Sequence, residues 1–220
     1  MMKSILLIGM GKFGQAVGES LLSFGDEVMI VDRNEEVINA LAPKYASAVI
    51  AACTNVDVLR TFDVPSFDCC IVCVGDDFQS SLEITSLLKE LGAKYVVSRA
   101  TTEIHKKFLL RNGADEVIYP DIDIAERLAM KISSSIIHDY FELSDDYAVF
   151  ELEVPVEWKG SDVMSINPRQ KYDMNLLLIR KTDGRIFPPT AKYVFEVGDH
   201  MMVFGNTQTT LAFTKKGKKK

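Results

Sequence analysis

The 220-residue sequence has no uninterrupted apolar run approaching the ~18 residues of a membrane-spanning helix. It has no secretory signal pattern and no surplus of positive charge. Each absence removes a class of function. Without a span, any role at a membrane must come through a partner. The opening MMKSILLIGMGKFG carries one early lysine, but its apolar run passes straight into glycines and a charge, with no small-residue cleavage site. Together these imply a cytosolic protein. A formal net charge of −6 argues against a nucleic-acid binder, which presents a basic face or stripe.

Cysteine is scarce too. Cys53 stands alone, while Cys69, Cys70 and Cys73 share the apolar segment DCCIVCVG without the paired C-x-x-C clusters of a zinc site. Buried reduced thiols on a core strand are the simplest reading, with a metal or redox role as the alternative. No Tyr-x-x-x-Lys pair occurs, and the three histidines, His105, His138 and His200, are scattered along the chain. No proton-transfer constellation for a dehydrogenase is visible.

What is present begins with ordinary globular material, 47% hydrophobic and 25% charged. Short β-branched runs alternate with helical patterns up to about position 120. The strand candidates are Ile5–Ile8, Val28–Val31, Ala48–Ile50, Ile71–Val74, Tyr95–Val97 and Val117–Ile118. Near-continuous apolar runs suit strands covered on both faces. Between them Gln79–Leu91 repeats leucines on one face and stops at Gly92. Six such alternations predict an α/β fold of Rossmann type, a doubly wound parallel sheet.

From Asp121 to about Tyr140 the apolar positions Ile124, Leu128, Ile132 and Ile136 predict one long amphipathic helix. After the polar break Ser144-Asp145-Asp146, alternating runs (AVFELEV, NLLLIRK, DHMMVFG) separated by turn signals predict a small α+β domain. The expected domains are 1–140, the nucleotide-binding part with its helix, and 145–212, the small domain. A basic tail, 213–220, follows, with five lysines in the last six positions. It reads as a solvated tail, or alternatively as a contact for anionic lipid headgroups.

The glycine pattern Gly9-Met10-Gly11-Lys12-Phe13-Gly14 follows the first strand and opens the first helix. Gly9 permits the tight turn, Gly11 lets backbone approach a phosphate, and Gly14 lets helix pack close to strand. The helix N-terminus presents unpaired N–H groups to an anion. Asp32 closes the second strand, where a carboxylate accepts hydrogen bonds from ribose hydroxyls. This half is therefore read as a site for an adenine nucleotide or dinucleotide. A nucleotide site without a visible reaction points to binding used for signalling.

At this point the chain resembles the RCK family, regulators of potassium conductance, and within it the KtrA/TrkA-type soluble subunits. The resemblance is carried by ILLIGMGKFGQAVGESL, by EVMIVDRNEEVINAL, by the block from FDCCIVCVGDDFQ to NGADEVIYPD, and by SDVMSINPRQKYDMNLLLIRKTDGRIFPP and VGDHMMVFG in the small domain. It implies an RCK N-lobe, a crossover helix and a small C-terminal lobe. It implies a regulatory gating subunit, not an enzyme, that binds ATP or ADP, with NAD as an alternative. Dimers would build an octameric ring beneath a membrane-embedded potassium channel or transporter, at the inner face of the membrane. A sensor of NAD(H) or a cyclic dinucleotide with another partner, or less simply an NAD-dependent oxidoreductase, are the other functions weighed.

Carried over by position, the resemblance places the phosphates on Gly9, Met10, Gly11, Lys12, Phe13 and Gly14. Asp32 would hold the ribose, with Arg33 beside it. Cys53 and Thr54 would end the third strand near the base, Val74, Gly75 and Asp76 would line the site at the fourth strand, and Arg99 would end the fifth. Asp121, after Pro120, would hold a divalent cation, Mg or Ca, between subunits. Val163, Met164, Asn167, Arg169 and Lys171 would contact cyclic di-AMP in the small lobe. Three departures stand out: Lys12 replaces a frequent arginine, Ala52 replaces an acidic or amide residue, and Asp121 replaces a glutamate. Lysine offers a point charge where arginine offers a planar fork.

Overall fold

The apolar runs of the first half become strands whose alternate residues enter two different cores. In the computed structural model, which describes residues 2–216, the first half holds β1 (Ser4–Ile8), α1 (Lys12–Ser23), β2 (Glu27–Asp32), α2 (Glu35–Leu41), β3 (Ser47–Ile50) and α3 (Val56–Arg60). It continues with β4 (Cys69–Val72), α4 (Phe78–Glu90), β5 (Val96–Arg99), α5 (Glu103–Arg111) and β6 (Glu116–Ile118). All six strands are parallel, in the order β3-β2-β1-β4-β5-β6. On one face Ile5, Leu7, Val28 and Ile30 pack with Ile38 and Leu41 of α2 and with Val17 and Leu21 of α1. On the other, Leu6, Ile8, Val31, Cys70 and Val72 pack with Ile84 and Leu88 of α4. Burial on both faces is why these strands read as continuous hydrophobic runs. The expected doubly wound sheet is the one observed, and its strand order reverses direction between β1 and β4. Open α/β sheets bind ligands at that switch, beyond the carboxyl ends of the strands.

Helix starts are written locally. Asn34 accepts from the N–H groups of Glu36 and Val37, Asp77 from Ser80, and Thr102 from His105. By contrast α1 begins at Gly11 with no side-chain cap and no acidic residue in its first turn.

One strand ends earlier than its apolar run suggests, and one ends before the residues that the resemblance put at its close. The fourth is Cys69–Val72, not Ile71–Val74, because its neighbour β1 stops at Ile8, where Gly9 turns with φ of 95°. The third ends at Ile50, where its partner β2 ends at Asp32. Cys53 and Thr54 therefore lie in the turn after β3, and Val74, Gly75 and Asp76 in the loop after β4.

The second half holds α6 (Pro120–Ser133), β7 (Ile137–Ser144), β8 (Tyr147–Glu153), α7 (Val163–Ile166), α8 (Pro168–Tyr172), β9 (Met174–Arg180), β10 (Ile186–Phe187), β11 (His200–Asn206) and α9 (Thr207–Lys216). Its sheet is antiparallel, in the order β10-β9-β11-β8-β7. One face buries Ala148, Phe150, Leu152, Met201 and Val203 against Trp158, Phe195 and Met174. The opposite residues of β8 and β11 give the alternation visible in the sequence.

The helix expected to reach Tyr140 ends at Ser133, and the chain re-enters as a strand at Ile137. Three consecutive serines, 133–135, explain the break. The Ser134 hydroxyl accepts from the N–H groups of Ile136 and Ile137, which offers the backbone a local alternative to the helix. The two β-branched isoleucines then favour extended backbone. The chain divides into compact units that meet between Asp121 and Ile122, so residues 137–144 belong with the second sheet and not with a 1–140 domain. The small domain also outlasts residue 212. Phe213 packs tilted against Trp158 and edge-on against Tyr172, and Thr214 is buried. Of the expected 213–220 tail, residues 213–216 are helical and 217–220 lie outside the described residues.

Candidate functional site

The glycine loop is built so that only glycine serves at two of its positions. Gly9 has positive φ, and a Cβ there would press on the Val74 N–H at 3.0 Å. A Cβ at Gly14 would overlap the Gly9 carbonyl oxygen, which is the close helix–strand approach expected of the third glycine. Gly11 differs: a Cβ there meets nothing within 4 Å. It faces open space at the uncapped start of α1, a concavity of backbone N–H groups suited to an anion.

Asp32 does more than wait for a ribose. Its Oδ2 accepts from the Met10 N–H at 2.6 Å and its Oδ1 from the Asn34 N–H at 2.8 Å. The carboxylate therefore pins the glycine loop to the end of β2 and opens α2. The residues around it fall where the two neighbouring strands end. Arg33 is exposed, and its positive charge reaches Asp77. Hydrogen bonds from the Ser80 hydroxyl and N–H hold the Asp77 carboxyl below its ordinary pKa, with Arg33 assisting.

Arg99 ties the remaining predicted residues together. Its guanidinium lies 5.4 Å from the centre of the Phe13 ring, donates to Asp121 at 3.2 Å, and sits against Gly75, where a Cβ would meet it at 3.2 Å. Its Nε is buried with no hydrogen-bond partner among the described residues. An unpaired buried donor is costly, and here it belongs to a cation beside the open glycine loop. These features, an open Gly11 and an orphaned guanidinium donor, fit a phosphate-bearing ligand. Thr101 adds a contact the sequence reading missed: its hydroxyl bonds the Gly75 carbonyl at 3.4 Å. Only its place just after the fifth strand could have signalled it.

Not every predicted residue points outward. The Cys53 thiol is buried in the core with Leu59 and Val31, and burial, then Asp32, pushes its pKa up to about 12. Thr54 and Asp76 are exposed, as is Lys12 at the head of α1. Asp121 is exposed and paired with Arg99, and among the described residues no three His, Cys, Asp or Glu side chains converge as metal ligands.

In the second unit, Val163 packs on the aromatic core while Met164 is exposed. Asn167 adopts φ of 49° and caps α8 by accepting from Gln170 N–H, and its amide donates back to Gln170 at 2.8 Å. Lys171 donates to the Ser165 carbonyl at 3.1 Å. Arg169 is exposed at the head of α8.

Known proteins place this arrangement. The TrkA-N domain family model matches residues 5–120. The chain is 32% identical to Ktr system potassium uptake protein C of Bacillus subtilis, covering 98% of each chain. It is 31% identical to Ktr system potassium uptake protein A of the same organism, over 98% of this chain and 97% of that one. Among solved structures, the GsuK channel superposes with a TM-score of 0.70 at 16% identity, covering 97% of this chain and 39% of that one. The GsuK channel bound to NAD gives a TM-score of 0.68 over 95% of this chain and 38% of that one. These two establish a shared fold, and the chain spans under half of their length. With a family model over more than half its residues and end-to-end relatives above 30% identity, this chain belongs to the TrkA-N domain family and is similar over its whole length to the Ktr potassium uptake proteins.

Proposed function

We propose that this chain is a nucleotide-binding regulatory subunit of a potassium uptake system. It binds adenine nucleotide in its first unit and acts on a membrane-embedded potassium channel or transporter from the cytoplasmic side. No helix among the described residues is long and apolar enough to cross a membrane, so the ion path belongs to the partner. The observation that carries the reading is the glycine loop, pinned by Asp32 and opening on an uncapped helix beside Arg99, in a chain that matches Ktr proteins end to end.

In this reading Gly9 to Gly14 hold the phosphates and Asp32 the ribose, with Arg33, Val74, Gly75, Asp76, Cys53, Thr54 and Arg99 around them. The bound species is ATP or ADP, or NAD. Their binding drives a conformational change and no turnover. A ligand shifts an equilibrium only by its differential affinity for two states. ATP and ADP differ by one phosphate, so Lys12, exposed at the head of α1, is the group that tells them apart from across a subunit boundary. Ring assembly needs two different self-contacts. Two apolar faces are exposed for them: Ile124, Leu128 and Ile132 on α6, and Phe78, Ile104 and Phe108 on α4 and α5. An octameric ring of dimers uses both, and Asp121 holds Mg or Ca between copies. Cyclic di-AMP, if bound, uses Arg169 as its phosphate clamp.

Calorimetry with ATP, ADP and NAD on the purified chain, followed by potassium flux in vesicles holding its membrane partner, tests the proposal. Saturable nucleotide binding that changes flux is expected. No binding of any of the three, or flux indifferent to them, overturns it. Saturable cyclic di-AMP binding, lost in Arg169→Ala while ATP binding persists, tests the second site.

A further inference from the structure

The open face of the second sheet carries a cluster that the nucleotide reading does not use. His138 on β7 and His200 on β11 lie on either side of β8, yet their rings stack across it with centroids 4.0 Å apart and planes 30° apart. Beneath them Glu151 of β8 has a side chain only 5% exposed. It forms an ion pair with Arg180 of β9 at 3.0 Å and faces His200 Nδ1 at 3.2 Å. Glu153 of β8 and Lys131 of α6 complete the charges around His138. The rings therefore bridge three strands over a buried carboxylate that an arginine already occupies.

His138 also sits at a structural seam. The register of β7 against β8 shifts between Ile137 and Asp139, which places His138 in a bulge of the sheet's edge strand. The next residue, Asp139, holds Arg127 of α6 through both oxygens at 2.8 Å. The same guanidinium lies 4.2 Å from the centre of the Phe141 ring. The attachment of α6 to its sheet thus runs through residues that directly follow the bulge.

We propose that the His138–His200 pair is a proton-responsive clasp: stacked while His138 is neutral, it holds the β7 bulge and the Arg127–Asp139 anchor of α6, and it opens when both rings are charged. Glu151 and Glu153 can balance one imidazolium. A second stands face to face with the first, with Arg180 and Lys131 close by, and like charges in contact repel. Burial first, then His200, holds His138 below the ordinary imidazole pKa of 6.5. The sign follows. A base with a depressed folded pKa binds fewer protons folded than unfolded, so its contribution is present above 6.5 and is lost as pH falls below it.

The test is amide hydrogen exchange of the full chain between pH 7.5 and 5.5, corrected for intrinsic rates. Protection of residues 137–144 and of α6 is expected to fall with acid, approaching about tenfold per pH unit, the limit set by one extra proton. Strands β1 and β4 should show no such change. His138→Gln keeps a planar amide in place but cannot charge, and it should flatten the acid response. Unchanged protection in the native chain, or a full acid response in His138→Gln, overturns the proposal. If that variant does not fold, NMR titration of native His138 decides. A midpoint below 6.5 supports the clasp, and one at or above 6.5 sinks it.

Discussion

The two units put their carboxylates to different main uses. In the first unit those nearest the glycine loop and strand ends anchor backbone: Asp32 takes the N–H groups of Met10 and Asn34, Asp77 that of Ser80, and Asp115 that of Val96 while also pairing with Lys89. In the second the most buried carboxylates, Glu151 and Asp199, gather cationic and polar side chains. Lys181 bridges Asp199 at 3.1 Å and Glu196 at 2.8 Å while Tyr193 donates to Asp199, and Glu151 gathers Arg180 and His200. The difference follows from topology. A parallel sheet exposes strand ends and loops on one side, where backbone amides need anchoring for a ligand. A two-layer antiparallel sheet presents whole strand faces, and side chains there must satisfy each other.

The largest effect that would sharpen this contrast is expected from Lys181→Ala. Burial works against the Lys181 charge, but hydrogen bonds from its ammonium to Glu196, Tyr193 and Asp199 outweigh it and hold its pKa above the ordinary lysine value. Asp199 is 1% exposed. Removing the ammonium leaves that carboxylate buried without its cation, a loss of about 3 kcal/mol. This is the lower end of the range, because Tyr193 and the Glu196 N–H still donate to it. Denaturant unfolding should show the second unit losing this stability while the first keeps its nucleotide affinity. A variant as stable as the parent would mean the network is decorative.

Much of the first unit was legible because its signals are local. Continuous apolar runs and a glycine pattern between strand and helix act within a few residues, so the doubly wound parallel sheet and the position of the glycine loop followed. Asp32 was legible as the carboxylate that closes the second strand, but its grip on Met10 was not, since that bond spans 22 positions and depends on strand pairing. Arg99 was placed at a strand end, whereas its meeting with Phe13, Gly75 and Asp121 needed the fold. In the second unit, β7 was hidden because Ile132 and Ile136 continue a helical period that a serine run then breaks. Period alone cannot see a local hydrogen bond from Ser134. The histidine pair was illegible for the same reason as Arg99: His138 and His200 meet only across β8.

The next largest effect is expected at Asp32, the carboxylate that holds the glycine loop. Asp32→Ala removes the acceptor of a ribose and frees the Met10 N–H, so nucleotide binding should weaken by about 1.5–3 kcal/mol, roughly ten- to hundredfold, for each charge-assisted bond lost. Asp32→Asn keeps one oxygen for a backbone N–H and should fall between the two. Calorimetry that finds the alanine variant binding ATP, ADP and NAD as tightly as the parent would remove Asp32 from the site and break the contrast at its centre.

The smallest effect tests whether the first unit has any reactive side chain of its own. All four cysteines are free and lie there. Burial pushes Cys53, Cys70 and Cys73 up to about 12 and Cys69 to about 11. Arg99 opposes the shift at Cys73 without cancelling it. The thiolate is the nucleophile, so at pH 8 these thiols are almost wholly protonated and most are shielded from reagent. A water-soluble disulfide reagent should label the native chain very slowly, with Cys69, the least buried, reacting first, and should label all four after denaturation. Nucleotide should leave the native rates of Cys69, Cys70 and Cys73 nearly unchanged, because Cys53 is the one thiol placed beside the ligand. Rapid native labelling of Cys73, which lies beneath the glycine loop with its Cβ 3.4 Å from the Cβ position of Gly14, would show that the loop opens. A rigid cradle pinned by Asp32 would then be the wrong description of the first unit.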